Sequence, residues 1–188
     1  KLKDLCMIAI QTIDRIEHVH SKLYLHRDIK PSNFMLGNPD NSIIYLIDFG
    51  NAKKYRSSRT GKHIQTFKNN KLSGTLLFLS VNSMKGKQQS RKDDLESLGY
   101  MYIYLAKGNL PWNNLKKTKI EEIIREVGRI KSTISLEDLC SELPKEFYNY
   151  LSYVKKLNFE QNPDYDYLRN CFKNLLSQNG EKYDNLFS

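Results

Sequence analysis

The 188-residue sequence has no apolar run long enough to span a membrane. Its longest apolar runs, residues 75–81 and 100–106, are far shorter than the roughly 20 residues that a spanning helix needs. No signal-peptide pattern is present. Cysteine is scarce, and Cys6, Cys140 and Cys171 lack the spacing of a zinc site or a disulfide framework. These absences favour one domain without membrane contact, in a reducing cytoplasmic or nuclear setting.

Acidic residues are missing from a long internal segment. Residues 49–92 contain no Asp or Glu but eleven Lys or Arg, whereas acidic residues slightly outnumber basic ones elsewhere in the chain. The net charge of +9 therefore arises from this segment alone. A charge run is often no more than a solvated surface. A positive segment of this length instead favours an acidic or phosphorylated partner, or nucleic acid.

Periodicity predicts a mainly helical domain with a small β element near its start. Apolar residues recur at helical spacing over residues 2–22, and residues 33–36 and 42–49 are typical of short strands around a turn. Ser90 is placed to cap a helix over residues 91–106, whose apolar C-terminal half is predicted to be buried on all sides. Three further helices are predicted near residues 116–130, 144–157 and 164–177.

The densest chemical signal is the stretch YLHRDIKPSNFML, residues 24–36. It contains the pattern H-R-D-x-x-x-x-N over residues 26–33, and the triplet D-F-G follows at residues 48–50. The triplet alone would arise by chance. The two motifs at this separation, with predicted strands between them, strongly indicate a phosphoryl-transfer site of the protein kinase type. Such a site has to position the reactants and neutralise charge.

Each residue of this pattern suits a role in that chemistry. Asp28 is expected to accept the proton of the attacking hydroxyl or to orient it, because an ordinary carboxyl group is ionised at neutral pH. Lys30 is expected to place its charge on the γ-phosphate of ATP. Asn33 and Asp48 would supply the hard oxygen ligands that Mg²⁺ prefers. Thr75 follows a glycine, where Ser/Thr kinases have a supporting threonine.

Other polar residues near the motifs are predicted to be structural. His26 is expected to pack beneath the loop, and Arg27 is expected to bond to backbone or to the segment after Asp48. Asp94 lies near the start of the helix over residues 91–106. It matches the aspartate that, in kinases, bonds to the backbone of the catalytic loop.

Several further stretches fit one family. The triplet A-P-E that ends the activation segment of most kinases is missing, and LSVNSMKG (79–86) and QQSRKDDLESLGYMYIYLAKGNLPW (88–112) occupy this region. DFGNAKKYR (48–56), SGT (73–75) and PDYDYLRNCFKNLL (163–176) agree with the same pattern. Over essentially its whole length, the chain resembles the casein kinase 1 family of protein Ser/Thr kinases.

This resemblance implies an α+β kinase-like fold, of which the chain would form the mainly α-helical C-terminal lobe. The implied parts are a helix over 2–22, a catalytic loop over 26–33, an activation segment over 48–83 and helices over 91–178, within one lobe of residues 1–188. It also implies Mg²⁺ and ATP as cofactors and Ser/Thr hydroxyls of acidic or phosphorylated proteins as acceptors. Met35 and Ile47 would line the floor of the adenine pocket.

The sequence departs from the family pattern at three places, of which the first two affect the expected substrate recognition. Leu77 stands where an arginine is expected to bind a substrate phosphate, and Glu121 and Glu122 stand where basic residues are usual. Leucine supplies none of the charge-assisted, bidentate hydrogen bonds of arginine, which places phosphate-primed recognition in doubt. Asn51 replaces the leucine that normally follows D-F-G. Three lysines are placed to compensate for the lost arginine: Lys68, Lys71 and Lys85.

A phosphate-covering glycine loop is missing from these residues. None of the nine glycines forms G-x-G-x-x-G, and there is no V-A-I-K strand. The chain begins at Lys1 within the first helix of the lobe. We therefore expect an absent N-terminal lobe to be a required partner and the isolated chain to be inactive.

Two other classes of protein compete with this interpretation. A pseudokinase or scaffold would use the basic segment 53–92 for docking, which the loss of arginine at Leu77 mildly favours. The site residues are all intact, which argues against it, because a protein that no longer catalyses the reaction is free to lose them: Asp28, Lys30, Asn33 and Asp48. A nucleic-acid binder rests on the positive segment alone and is disfavoured.

Overall fold

Within residues 1–65, 72–116 and 119–187, which the computed structural model describes, the chain forms seven α-helices, one short 3-10 helix (Pro31–Asn33) and four short strands. The helices are α1 (Leu2–Ser21), α2 (Val81–Met84), α3 (Arg91–Lys107), α4 (Ile120–Thr133), α5 (Leu136–Leu139), α6 (Lys145–Lys156) and α7 (Tyr165–Gln178). The strands are β1 (Tyr24–Leu25), β2 (Phe34–Leu36), β3 (Ile44–Leu46) and β4 (Lys53–Lys54). No helix in these ranges is both long enough and apolar enough to cross a membrane.

The five longer helices confirm the periodicity of the sequence. α1, α3, α6 and α7 lie within one or two residues of their predicted ranges. α4 begins at Ile120, later than predicted, and Lys117 and Thr118 of the predicted range lie outside the described residues. α3 ends at Gly108, whose φ of 74° is a left-handed conformation that glycine adopts without strain. The short helices α2 and α5 carry too few residues to show a period.

The core lies where α3 packs between α1 and α6, with α7 against α1. Rings of Tyr102, Tyr150 and Phe172 meet there with centroids 5.2–5.8 Å apart. The buried hydroxyl groups are bonded: that of Tyr102 lies 2.8 Å from the Thr12 hydroxyl, and that of Tyr150 donates to the carbonyl of Leu95 at 2.9 Å. The aromatic groups therefore contribute apolar area to the core without leaving polar atoms unpaired.

The prediction that the C-terminal half of α3 is buried on all sides was wrong for its last turn. Leu105–Lys107 are exposed, whereas the first turns of the helix are buried, including Asp93, Asp94 and Glu96. These carboxylates are buried because they accept hydrogen bonds from other segments. Glu96, for example, accepts one from the backbone N–H of Val81 at 3.0 Å. Apolar composition does not reveal such bonds.

Two antiparallel strand pairs flank the catalytic loop. β2 pairs with β3, with Phe34 opposite Leu46, and this confirms the predicted hairpin. The second strand is shorter than the predicted range of 42–49, because it pairs only with the three residues of β2; beyond its end, Asp48 has a φ of 59°. The pairing of β1 with β4 was not predicted, since two-residue strands show no alternation. β1 ends immediately before His26 and thereby fixes where the loop begins.

The glycines at two helix positions offer a matched test of this packing. A Cβ at Gly99 of α3 would lie 2.4 Å from Cδ2 of Leu151 on α6, whereas a Cβ at Gly128 of α4 would meet nothing closer than 3.6 Å. Helix propensity favours alanine at both positions by about 1 kcal/mol. We expect Gly99→Ala to lower the free energy of unfolding by about 1–3 kcal/mol and Gly128→Ala to raise it slightly. Urea denaturation measures both, and equal stabilities for the two variants would contradict the close α3–α6 contact.

Candidate active site

The backbone of the catalytic loop is anchored to a buried carboxylate. Asp94 accepts hydrogen bonds from the backbone N–H of His26 at 2.8 Å and of Arg27 at 2.9 Å. Arg27 has a φ of 67°, a left-handed conformation that costs a residue other than glycine about 1 kcal/mol or more. The two bonds to an ionised acceptor offset this strain, and the predicted structural role of Asp94 matches this geometry.

Asp94 is itself held by a chain of buried side chains. His20 of α1 lies with its Nε2 2.9 Å from Asp94 and its Nδ1 2.6 Å from the hydroxyl of Tyr165. Burial raises the pKa of Asp94, but the hydrogen bonds from His20 and from the loop backbone outweigh it, so the pKa lies below its ordinary value. The sequence shows only that His20 lies on the apolar face of α1. Its partners come from distant parts of the chain.

The side chains of Asp28, Lys30 and Thr75 meet in the structure, as the motifs predict. One oxygen of Asp28 accepts hydrogen bonds from both the backbone N–H and the hydroxyl of Thr75, each at 2.9 Å. The other oxygen lies 3.0 Å from Nζ of Lys30. Burial alone would raise the pKa of Asp28, but the hydrogen bonds from Lys30 and Thr75 outweigh this effect, so the pKa lies below its ordinary value. Asp28 is therefore an ionised acceptor at neutral pH.

Gly74 allows Thr75 to approach the loop. A Cβ at this position would lie 2.5 Å from the carbonyl oxygen of Arg27, and the φ of 105° is one that side chains rarely permit. The segment before Thr75 therefore passes directly over the backbone of the catalytic loop. Only glycine fits there without displacing one of the two segments.

Asn33 and Asp48 lie side by side at the end of the hairpin. The backbone N–H of Ile47 donates to the carbonyl of Asn33 at 2.9 Å, which brings the residue after Ile47 next to Asn33. The side-chain amide of Asn33 donates to the carbonyl of Asp28 at 2.8 Å, so its oxygen faces away from that carbonyl. One carboxylate oxygen of Asp48 accepts from the N–H of Gly50 at 3.2 Å.

This donor set fits a magnesium ion. Hard oxygen atoms from an amide and a carboxylate are typical of Mg²⁺ sites, where water and phosphate supply the remaining ligands. In the described residues, no group of three or more His, Cys, Asp or Glu side chains could form an all-protein metal site. Asn33 and Asp48 are therefore the residues that would hold Mg²⁺, shared with a phosphate-bearing ligand.

Met35 and Ile47 share a face of the hairpin with Tyr45. Residues directly opposite each other, and residues two apart, share a face of an antiparallel pair, and the register places Met35 opposite Tyr45. Met35 is 53% exposed and Ile47 is 37% exposed. An apolar surface thus adjoins the oxygen donors, which is the position needed for the floor of an adenine pocket.

His26 and Arg27 have the structural contacts predicted for them. The ring of His26 is fully buried, with Nε2 3.0 Å from the carbonyl oxygen of Ile47. Because a carbonyl oxygen only accepts, this nitrogen carries the proton. The Nε of Arg27 donates to the carbonyl of Asn51 at 2.6 Å, in the segment after Asp48.

A second set of side chains, which the sequence did not reveal, supports residues 76–79. Nζ of Lys131 donates to the carbonyls of Leu76 at 3.0 Å and Leu79 at 2.7 Å, and the indole of Trp112 donates to that of Leu77 at 2.8 Å. Lys131 is only 1% exposed, and burial lowers its pKa to about 7. It lies 4.9 Å from the centre of the Trp112 ring. Lysine is rarely buried in protein cores, so no pattern in the sequence indicates that Lys131 is buried.

The departures from the family pattern leave these backbone contacts in place. The side chain of Leu77 is partly buried against the core, while its carbonyl is held by Trp112. Of the three lysines placed to compensate, Lys85 is exposed at the end of α2. Lys68 and Lys71 lie outside the described residues.

The family model for the protein kinase domain matches residues 1–178. The chain therefore belongs to the protein kinase family, whose members are phosphotransferases that generally use ATP and Mg²⁺. Its mainly helical architecture with a few short strands is that of the C-terminal lobe of the kinase-like α+β fold.

Replacing Asp94 tests the anchor of the catalytic loop. Asp94→Asn keeps the shape of the side chain but leaves a single acceptor oxygen for three donors, which are His20 and the backbone N–H groups of His26 and Arg27. We therefore expect the free energy of unfolding at pH 7 to fall by about 2–4 kcal/mol. Because the pKa of Asp94 is lowered by folding, its contribution is complete above about pH 4 and is lost as the pH falls through the folded value.

The difference between wild type and Asp94→Asn is therefore expected to narrow on acidification below about pH 4. Urea denaturation at several pH values measures it. The matched control is Asp166→Asn, which removes an exposed carboxylate paired with Arg169 and is expected to change little. A variant of Asp94 as stable as this control would contradict the anchoring role.

Proposed function

We propose that this chain supplies the catalytic loop, metal ligands and substrate-binding segment of a protein Ser/Thr kinase of the casein kinase 1 type. The observation that carries the proposal is the convergence of Lys30 and Thr75 on the two oxygens of Asp28. These residues come from two motifs far apart in the sequence. A lysine two residues after the aspartate and a threonine on the activation segment are features of Ser/Thr kinases, and the motifs quoted above support the casein kinase 1 type.

In the proposed reaction, Asp28 orients the acceptor hydroxyl and accepts its proton while the γ-phosphate of ATP is transferred. Thr75 keeps the carboxylate in one orientation. Lys30 is half-buried and lies beside the same carboxylate, from which it can contact the transferred phosphate. Asn33 and Asp48 would hold Mg²⁺, which when bound neutralises charge on the phosphate groups. These residues thereby position the reactants and complement their charge.

We also propose that the acceptors are acidic proteins. The segment from residue 49 to residue 92 contains no carboxylate. Many of its cations are exposed, among them Lys53, Arg59, Lys62, Lys85 and Lys87. Arg91 is an exception, because it is buried and donates to Asn162 at 2.7 Å. Exposed cations that have no acidic neighbours in sequence favour an acidic partner over a purely solvated surface.

The nucleotide is proposed to be enclosed by an N-terminal lobe with a glycine-rich loop. Six large apolar side chains around the hairpin and the D-F-G triplet are between 37% and 53% exposed: Tyr24, Met35, Leu36, Tyr45, Ile47 and Phe49. Clusters of exposed apolar side chains of this kind commonly mark interaction sites. Their position beside Asn33 and Asp48 supports a partner that closes over the phosphates, with Met35 and Ile47 against the adenine.

Substitution of Asp28 tests the catalytic assignment. In the kinase that contains this chain together with its nucleotide-binding lobe, we expect Asp28→Asn to lower kcat for an acidic Ser peptide by about 10²–10⁴-fold, because an amide cannot accept the proton. The KM for ATP is expected to change little. Steady-state transfer of labelled phosphate measures both values.

Asp40→Asn is the matched control, since Asp40 lies in the exposed hairpin turn and bonds only locally, to the N–H of Ser42. Near-normal kcat in Asp28→Asn would refute the role of Asp28. Absence of transfer by the wild-type kinase to any Ser or Thr peptide would favour the pseudokinase alternative. Transfer to Tyr peptides alone would refute the Ser/Thr assignment.

Charge reversal tests the preference for acidic acceptors. Lys85 and Lys87 follow α2, which begins two residues after the segment 76–79 that we propose to lie along the substrate. We expect Lys85→Glu combined with Lys87→Glu to raise the KM for an acidic peptide roughly fivefold at low salt, and less at high salt. The KM for an uncharged peptide should not change. Lys173→Glu, on the exposed face of α7, is the control, and an equal effect of this control would contradict a specific role for the two lysines.

A further inference from the structure

Asn51, the residue after D-F-G, contacts two segments that carry site residues. Its backbone carbonyl accepts a hydrogen bond from Nε of Arg27 at 2.6 Å. Its side-chain oxygen accepts one from the hydroxyl of Ser73 at 2.9 Å. Asn51 and Ser73 are both half-buried. One residue therefore links the catalytic loop to the segment that leads into Thr75.

These contacts close a ring around the site. Ser73 lies two residues before Thr75, which donates twice to Asp28, and Asp28 follows Arg27 in the catalytic loop. The ring thus runs from Arg27 through Asn51, Ser73 and Thr75 to Asp28. Residues 72–75 form no helix or strand. Their position therefore depends on such individual contacts and not on a backbone ladder.

We infer that Asn51 is a positioning residue for phosphoryl transfer, which acts through Ser73 to hold Thr75 against Asp28. This inference rests on the proposed function, because it matters for catalysis only where Asp28 handles the acceptor hydroxyl. The leucine that the family pattern has at this position offers no acceptor to Ser73. The bond between Ser73 and Asn51 is therefore one that a leucine at position 51 could not form.

A purely local role for Asn51 is the competing explanation. The N–H of Ala52 donates to the carbonyl of Phe49 at 2.9 Å, which closes a turn that contains Asn51, and asparagine suits turns. In that case Asn51 would matter while Ser73 would not. Variants of Ser73 leave the turn unchanged and separate the two explanations.

Hydrogen exchange of the Thr75 amide in the 188-residue chain tests the contact without requiring activity. This amide is protected by its bond to Asp28. We expect Asn51→Leu and Ser73→Ala each to speed its exchange about fivefold, the effect of losing one typical hydrogen bond. The double variant should exchange no faster than either single variant, because both remove the same bond.

Two conservative variants and one control complete the exchange experiment. Asn51→Asp and Ser73→Thr retain an acceptor and a donor, so wild-type protection is expected in both. The control is Asn174→Leu, the same change of residue type as Asn51→Leu but on the exposed face of α7, and it should not alter the exchange of the Thr75 amide. Unchanged exchange in Ser73→Ala, or additive effects in the double variant, would overturn the inference.

Kinetics of the complete kinase test the consequence for catalysis. We expect Asn51→Leu and Ser73→Ala to lower kcat about fivefold with the KM for ATP unchanged, and Asn51→Asp and Ser73→Thr to restore kcat. A rise in the KM for ATP at constant kcat would overturn the positioning role. Failure of the wild-type kinase to transfer phosphate would contradict the proposed function, and the exchange experiment would still decide whether Asn51 holds Thr75.

Discussion

The conformation of the catalytic loop depends on the hydrogen bonds that its backbone donates to the carboxylate of Asp94. This carboxylate lies in the first turn of α3, and it bonds to two consecutive backbone amides of the loop, those of His26 and Arg27. Arg27 adopts a strained left-handed conformation, which persists only where its surroundings over-determine it. Because Asp28 is the next residue, the direction of its side chain follows from this anchor. The chemistry of the site is thereby coupled to the packing of α1 and α3, which bury the carboxylate.

The segment that contains Thr75 depends on a different kind of restraint. Residues 72–80 lack regular secondary structure, so no ladder of backbone bonds holds them. Side chains from the D-F-G turn, from the region after α3 and from α4 bind this segment at successive positions, through Asn51, Trp112 and Lys131. Each bond is directed at a hydroxyl or a carbonyl group. Substitutions at Lys131 of α4 are therefore expected to change the path of this segment, although α4 is distant from Asp28 in the sequence.

The sequence predicts those parts of the molecule that are determined by residues close together in the chain. Helical spacing locates α1 and α3, and a contiguous motif brings Asp28, Lys30 and Asn33 onto one loop, because neighbours in sequence remain neighbours in space. The contacts of His20, Lys131 and Ser73 join residues far apart in the chain, so no period or motif reveals them. The predicted strand over residues 42–49 was also too long, since β3 pairs with β2 only over Ile44–Leu46. Apolar composition similarly failed to show where the burial of α3 ends.

The proposed recognition of acceptors does not require an arginine at position 77 to hold the backbone near Asp28. The carbonyl groups of residues 76, 77 and 79 are bound by Lys131 and Trp112, so the backbone path does not depend on which side chain stands at position 77. An arginine there is replaceable without moving Thr75 away from Asp28. The proposed recognition of acidic proteins then rests on several dispersed cations instead of one bidentate contact. Dispersed charges at a hydrated surface act through the summed field, which tolerates varied positions of acidic groups in the partner and weakens with salt.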